Sequence, residues 1–322
     1  MRSSPLALVA ALLAVPAPSS AADPPAAQDA PRVTLDDVAA SPRAKLSDSA
    51  LSALKRLLAA TPESNAQRPQ LLFRLAEHSR AVWLESLAES RSLGAKLATA
   101  REPFGRAALR TRLQNAQQAE RAWRAEAARL YAELVQRSAP RGAGAFARLD
   151  EALYLLADLM RRGQRMDQAR VFFSRLIRDY PQSRYIPDAY IVFADHYFDE
   201  GKLPEAQKLY QVVTRFPTAR VAGYARYREG WCELRQGDPR GALERFVSVV
   251  RDPDMQRHAT LAQELRRSIV IAYAQVGVSG RALPFFQRVG GTESKAMLKQ
   301  LGAIYRAKGR AADAAVVEAA AR

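Results

Sequence analysis

Few stretches of this sequence carry the residue types from which catalytic or metal sites are made. The densest is "DHYFDE", where Asp195, His196, Asp199 and Glu200 crowd together. Carboxylates beside an imidazole could hold a divalent cation or pass a proton. On a helix, though, Asp195 and Asp199 lie one turn apart on one face, and His196 points about 100° away from them. The cluster therefore reads as a solvated acidic edge. His78, His196 and His258 are the only histidines, and none pairs with another at ligand spacing. No His-Glu-x-x-His, Gly-x-Ser-x-Gly or phosphate-cradling glycine loop occurs. Cys232 is the single cysteine, so no intramolecular disulfide is possible. Flanked by Gly230 and Trp231, it reads as a small buried filler and not as a nucleophile. The chain is thus expected to be no enzyme, with no catalytic residues, no metal and no cofactor.

What must be positioned, then, is a surface. The 322 residues are 48% hydrophobic and 25% charged, an ordinary balance for a globular chain with a sizeable core. The opening "MRSSPLALVAALLAVPAPSSAAD" sets Arg2 ahead of an apolar run from Leu6 to Val15, then Pro, Ser and Ala. That is the layout of a cleaved signal peptide over residues 1–22, and the run is too short to span a bilayer. No cysteine near the cut could accept a lipid, so a periplasmic or secreted protein is expected, not a lipoprotein. No later stretch reads as a transmembrane span. The formal charge is +16, carried by 41 arginines and only eight lysines. For an exported chain nucleic acid is excluded as the partner, whereas contact with anionic wall or lipid material stays open. No dense basic block appears, and most arginines alternate with acids and alanines as on solvated helix faces.

The elements come from a recurring phrase. "GQRMDQARVFFSRLIRDYP", "GKLPEAQKLYQVVTRFP", "GDPRGALERFVSVVRDP" and "GVSGRALPFFQRV" each run from Gly through a buried-type Ala to an aromatic four residues later. A last copy lies in "LGAIYRAKGRAADAA". The alanines at 169, 206, 242, 282 and 314 are separated by 37, 36, 40 and 32 residues. Each unit reads as two antiparallel helices. A small residue on the first helix (Ala157, Ala194, Gly230, Gly302) is expected to admit the alanine of the second. The aromatic is expected to fill the gap to the next unit. Gly at the turn supplies a left-handed cap, and Pro after the second helix ends it. About five such units are expected over 148–322. Before them, residues 23–45 read as a disordered Pro/Ala-rich tether. Residues 46–147 read as a helical region holding an interrupted capping repeat: Ala76 and Ala127 lie 51 apart where a regular unit has 12, so about 39 residues are inserted, around 90–115.

These spacings scatter about the 34-residue period of the tetratricopeptide repeat (TPR), which the sequence resembles from about residue 68 onward. The resemblance implies an all-α fold, a right-handed solenoid of antiparallel helix pairs. "YPQSRYIPDAYIVFADHYFDEGKLPEAQKLYQVV" and "YARYREGWCELRQGDPRGALERFVSVV" further resemble exported TPR proteins of myxobacteria and related deltaproteobacteria, of the adventurous gliding motility type. More distantly they are similar to the Bam-complex lipoprotein and the Tol-associated division coordinator. The missing lipid-accepting cysteine departs from the first of these, and the missing heptad coiled coil from the second.

In this repeat class, one face of the first helices lines a concave groove. Mapped onto this sequence, the resemblance places there Tyr154, Asp158, Arg161, Arg162, Asp195, Phe198, Asp199, Tyr224, Tyr227, Trp231, Arg235, Arg267, Gln275, Lys299 and Arg306. Aromatics flanked by cations would suit a peptide with acidic groups or a C-terminal carboxylate. Tyr154 and Tyr224 have packing between units as their alternative, and for Trp231 groove and core are equally open. The implied function is a non-enzymatic periplasmic scaffold whose partners are envelope proteins or peptides, in gliding motility or envelope assembly. The alternatives are a basic-surface binder of anionic wall or lipid material, and a division or outer-membrane biogenesis adaptor.

Overall fold

The computed structural model describes residues 46–138, 145–252 and 259–322. The expected signal peptide and Pro/Ala-rich tether, together with Pro140, Pro253 and His258, lie outside the described residues. The fold is all-α: α1 (Asp48–Ala60), α2 (Arg68–Thr99), α3 (Pro103–Arg137), α4 (Leu149–Arg162), α5 (Met166–Asp179), α6 (Ile186–Asp199), α7 (Leu203–Thr214), α8 (Ala222–Arg235), α9 (Pro239–Val250), α10 (Ala259–Val276), α11 (Ala282–Gly290), α12 (Ser294–Ala307) and α13 (Ala311–Ala320). The chain divides into two compact units, residues 40–186 and 187–322. From α4 onward the helices alternate as antiparallel hairpins.

The sequence explains where these helices begin and end. Ser47 caps α1 by accepting from the Ala50 amide, and Asp238 caps α9 by accepting from the Gly241 amide. Prolines open α2, α3, α7 and α9, where a missing amide hydrogen costs nothing. Between the helices of three hairpins, Gly201, Gly237 and Gly309 take φ of 74°, 86° and 71°. Each is followed by an amide that reaches back to close the first helix: Lys202 to Tyr197, Asp238 to Glu233, Arg310 to Tyr305. In the α4–α5 hairpin the same bond runs from Arg165 to Met160, but the left-handed residue is Gln164 at φ 60°, not Gly163.

All five repeat alanines, 169, 206, 242, 282 and 314, are buried on second helices. The structure refines two expectations about their neighbours. A Cβ added at Gly230 would meet three Phe246 ring carbons, the nearest at 2.6 Å, and one at Gly302 would meet Glu318. At these two glycines the small residue thus makes room first for the side chain four positions after the alanine. Three of the aromatics pack on the first helix of their own hairpin, Phe173 on Tyr154, Phe246 on Tyr227 and Trp231, and Phe286 on Tyr273, whereas Tyr210 also reaches the next hairpin, its hydroxyl oxygen accepting from Arg228 on α8. The reason is directional, since a side chain one turn along the second helix leans toward the facing helix of the pair.

This geometry makes two glycine substitutions differ in sign. Gly230→Ala gains about 1 kcal/mol of helix propensity, but overpacking against a fully buried ring costs about 1–3 kcal/mol. It should therefore destabilise on balance. At Gly302 the three atoms nearest an added Cβ all belong to the flexible, partly exposed Glu318 side chain, so Gly302→Ala should be neutral or stabilising. Urea midpoints of the two variants check this; equal shifts would contradict the packing account.

In the unit before residue 187, α2 and α3 are a hairpin of 32 and 35 residues. The inserted residues are helical, and the turn falls at Ala100–Glu102, almost equidistant from Ala76 and Ala127, which are both fully buried. Burial is concentrated from Leu72 to Trp83 and from Ala127 to Val135, while toward the tip few residues besides Leu93 and Ala116 are covered. α4 and α5 continue from this base, with α4 packed on α3.

Candidate functional site

In the unit of residues 187–322 the predicted groove residues build a buried network. Asp195 on α6 is its centre. The Tyr210 hydroxyl on α7 donates to Asp195 Oδ1 at 2.5 Å, and the Tyr224 hydroxyl on α8 donates to Oδ2 at 3.0 Å. Arg228 lies one turn beyond Tyr224 on α8, so the two side chains emerge together. Its Nε sits 3.1 Å from Asp195 Oδ1 and 3.0 Å from the Tyr210 oxygen. The Arg228 guanidinium covers the Phe198 ring at 3.9 Å, and Arg235, two turns on, approaches the same ring at 4.8 Å. Asp199 closes the cluster at 3.6 Å from Arg228.

Burial, reinforced by the Asp195 charge, pushes both Tyr210 and Tyr224 well above the usual phenol range. Burial opposes the charge on Arg228, yet Asp195 and the two tyrosine oxygens hold its pKa well above the ordinary value. At neutral pH the tyrosines are neutral donors and the arginine is charged, so these groups make a lock and not a proton relay. Asp195 is therefore not part of a solvated acidic edge. Its side chain is 19% exposed, whereas that of Asp199 is 75% exposed. His196 turns to Glu200 instead, with Nε2 at 3.2 Å.

The aromatic rings expected to line an open groove do not line one. Phe198, Tyr224, Tyr227 and Trp231 are all buried, the last two packed against Phe246. The physical reason lies in α8, which packs against α7 and α9 and is buried almost continuously from Ala222 to Leu234. An interior first helix with neighbours on several sides has no broad solvent-facing stripe. For Trp231 the core alternative is the observed one, as it is for Tyr224. Arg267 is also largely covered and pairs with Glu264 at 3.4 Å. The outward remainder of the predicted set in this unit is Asp199, Gln275, Lys299 and Arg306, with Arg235 half-buried. Arg306 reaches Glu318 at 2.7 Å while staying largely exposed. Cys232 is fully buried, which pushes its thiol up to about 12.

In the unit of residues 40–186 the other predicted residues are likewise consumed by pairing. Buried Asp158 accepts from Arg161 Nη2 at 2.7 Å and from Arg162 Nε at 2.9 Å. The Arg162 carbonyl accepts from Arg124 Nη1 at 2.9 Å, and its guanidinium lies 5.7 Å from the Trp83 ring centroid. Tyr154 stacks on Tyr185 at 4.6 Å and 13°. Burial works to raise the Asp158 pKa, but the Arg161 and Arg162 charges and hydrogen bonds outweigh it and hold the carboxyl below its ordinary value.

Asp158 therefore contributes stability that is fully present above the unfolded carboxylate pKa of about 3.9 and is lost as pH falls through the lower folded value. Melting temperatures of wild type and Asp158→Asn should differ near neutrality and converge in acid. A gap independent of pH would contradict this assignment.

Two residues of the central network escaped the sequence reading as site members. Tyr210 carries the repeat's own signal, four places after Ala206, but its hydroxyl's destination is not encoded in spacing. Arg228 carries no signal at all. Among the described residues no three His, Cys, Asp or Glu side chains gather as metal donors, and no helix is long and apolar enough to cross a membrane.

The tetratricopeptide repeat family profile matches residues 151–183, which covers the α4–α5 hairpin. No curated protein sequence matches the chain. Among solved structures the chain is similar to the crystal structure of YrrB, described as a TPR protein with an unusual peptide-binding site. The identity is 17%, the match covers 60% of this chain and 91% of that one, and the TM-score is 0.39.

Proposed function

We propose that the chain is a non-enzymatic scaffold that holds protein or peptide partners within a cell-envelope machine, of the kind that serves gliding motility or envelope assembly. The observation that carries this reading is the run of hairpins from α6 to α13. Stacked hairpins offer an extended side-chain surface in place of a single central cavity, the usual basis of partner binding by repeat arrays. With the large rings spent on packing, the outward positions are polar, three of them charged: Asp199, Lys299 and Arg306, beside Gln275. Recognition there works through charge and hydrogen bonding more than through aromatic anchors. Placement in the periplasm is supported by Arg2, the apolar run Leu6–Val15 and the small residues after it.

The test is cross-linked affinity capture from the native envelope, with wild type beside the triple variant Asp199→Asn, Lys299→Glu, Arg306→Gln. All three positions are exposed, so folding should survive. A small set of envelope proteins held by wild type and lost by the variant supports the scaffold reading and identifies the process. Recovery of no envelope protein by either form overturns it.

A further inference from the structure

A second surface lies on the opposite helices of the repeats. Between α9, the C-terminal end of α10 and α11 is an open cleft of about 570 Å³. Its floor is apolar. Tyr273 packs against Phe285 at 4.8 Å and Phe286 at 5.0 Å, and the Tyr273 hydroxyl donates to the Val278 carbonyl at 2.9 Å. The polar end of that ring is thus tied down; Tyr273 is only 5% exposed, so the open part of the floor is mainly the half-buried Phe285, with the Arg288 guanidinium 5.9 Å from its ring centroid. Gly277 is needed beneath it, because a Cβ there would stand 2.2 Å from the Tyr273 ring. Val276, at the rim, is 38% exposed.

Three guanidiniums surround this floor: Arg240, Arg281 and Arg288. All three are exposed, and none makes an ion pair among the described residues. By contrast, Arg228, Arg245 and Arg310 each hold carboxylates. Two features oppose an anion here. Glu244 also lines the cleft, and the C-terminus of α10 carries about half a negative charge. Three full positive charges outweigh both. Arginine's planar fork further favours carboxylates, which it can bind in pairs.

We propose that this cleft is a second docking site for an acidic amphipathic peptide segment, one that sets Leu or Phe on the Tyr273/Phe285 floor and Asp or Glu against Arg240, Arg281 and Arg288. The proposal rests on the scaffold reading for its class of occupant, but its arginines lie on or beside the second helices α9 and α11, with only the C-terminal end of the first helix α10 contributing to the floor. An apolar floor selects against a bare inorganic anion, and the arginine rim selects against a purely apolar or basic segment.

Fluorescence anisotropy with the full chain tests it, using a short labelled peptide that alternates Asp with Leu and Phe. Two comparison peptides replace Asp by Lys, or Leu and Phe by Ser. The acidic amphipathic peptide should bind, and both comparison peptides should bind at least about tenfold more weakly. Arg281→Glu/Arg288→Glu should weaken the acidic peptide at least about tenfold and improve the Lys peptide, with the circular dichroism spectrum unchanged. The triple first-helix variant should bind as wild type. If the double variant binds the acidic peptide normally while the triple variant loses it, the cleft proposal falls and the first-helix face is the peptide site. Equal binding of the Ser peptide overturns it as well, because only charge is then being read. So does retention on phosphatidylglycerol vesicles through Arg281 and Arg288 without peptide binding, which points to a lipid surface. Conversely, peptide binding at the cleft with no partner captured from the envelope upholds the site while removing the scaffold reading.

Discussion

Asp195→Ala should cost the 187–322 unit about 3–5 kcal/mol of unfolding free energy, the range for a buried ion pair that loses one member. The substitution strips Arg228 of its closest carboxylate and leaves the Tyr210 and Tyr224 hydroxyls without their acceptor. Asp199 cannot take over, since it stands 3.6 Å from Arg228 on a largely exposed side chain. The cation–π contact with Phe198 remains, but such a contact is worth only about 0.5–2 kcal/mol. Tyr210→Phe removes a single hydrogen bond and should cost about 1 kcal/mol. Urea unfolding separates the two variants. A loss below about 1 kcal/mol for Asp195→Ala would mean that the network is not the lock described here.

Phe198→Ala combined with Tyr227→Ala should unfold this unit instead of merely blinding it to a partner. Each change opens a cavity under a fully packed helix, at about 3–5 kcal/mol apiece, and the sum is comparable with the whole stability of an ordinary domain, about 5–15 kcal/mol. Tyr227 is fully buried and Phe198 is 2% exposed, beneath Arg228 and Arg235. Near-ultraviolet circular dichroism should lose its aromatic signal in the double variant and keep it in Tyr227→Phe. A well-folded double variant would show that these rings contribute little to packing. The same numbers explain why partner binding is better probed at Asp199, Lys299 and Arg306, whose removal opens no cavity.

The repeat itself was readable because its determinants are local and recur. An alanine at 169, 206, 242, 282 and 314, an aromatic or other side chain four later and a glycine between helices are backbone and close-approach requirements, which depend on nearby residues in a fixed order. The left-handed glycines at 201, 237 and 309 follow from that logic. Gln164 does not, because there the same turn falls one residue past the glycine and accepts the strain of a side chain at positive φ. The inserted region shows a related gain from three dimensions: spacing placed an insertion around 90–115 without saying what form it takes, and the structure makes both flanks one continuous hairpin, α2 and α3.

The site residues divide along another line. Period and spacing assigned Phe198, Tyr224, Tyr227 and Trp231 to one side of their helices, yet the side of a helix says nothing of how many neighbours cover it. Burial is set by the elements packed around α8, and those arrive from both directions along the chain. Pairing is less local still. Asp195 meets Tyr210, Tyr224 and Arg228 across intervals of 15, 29 and 33 residues, and the cleft rim joins Arg240 to Arg281 and Arg288 across two hairpins. The sequence alone therefore determined the all-α class, the hairpin repeat and the positions of its turns, since each rests on contacts within a few residues. Only the tertiary structure decided which charges are spent on one another and which still face outward, because a charge's partner is chosen by proximity in space and not by order in the chain.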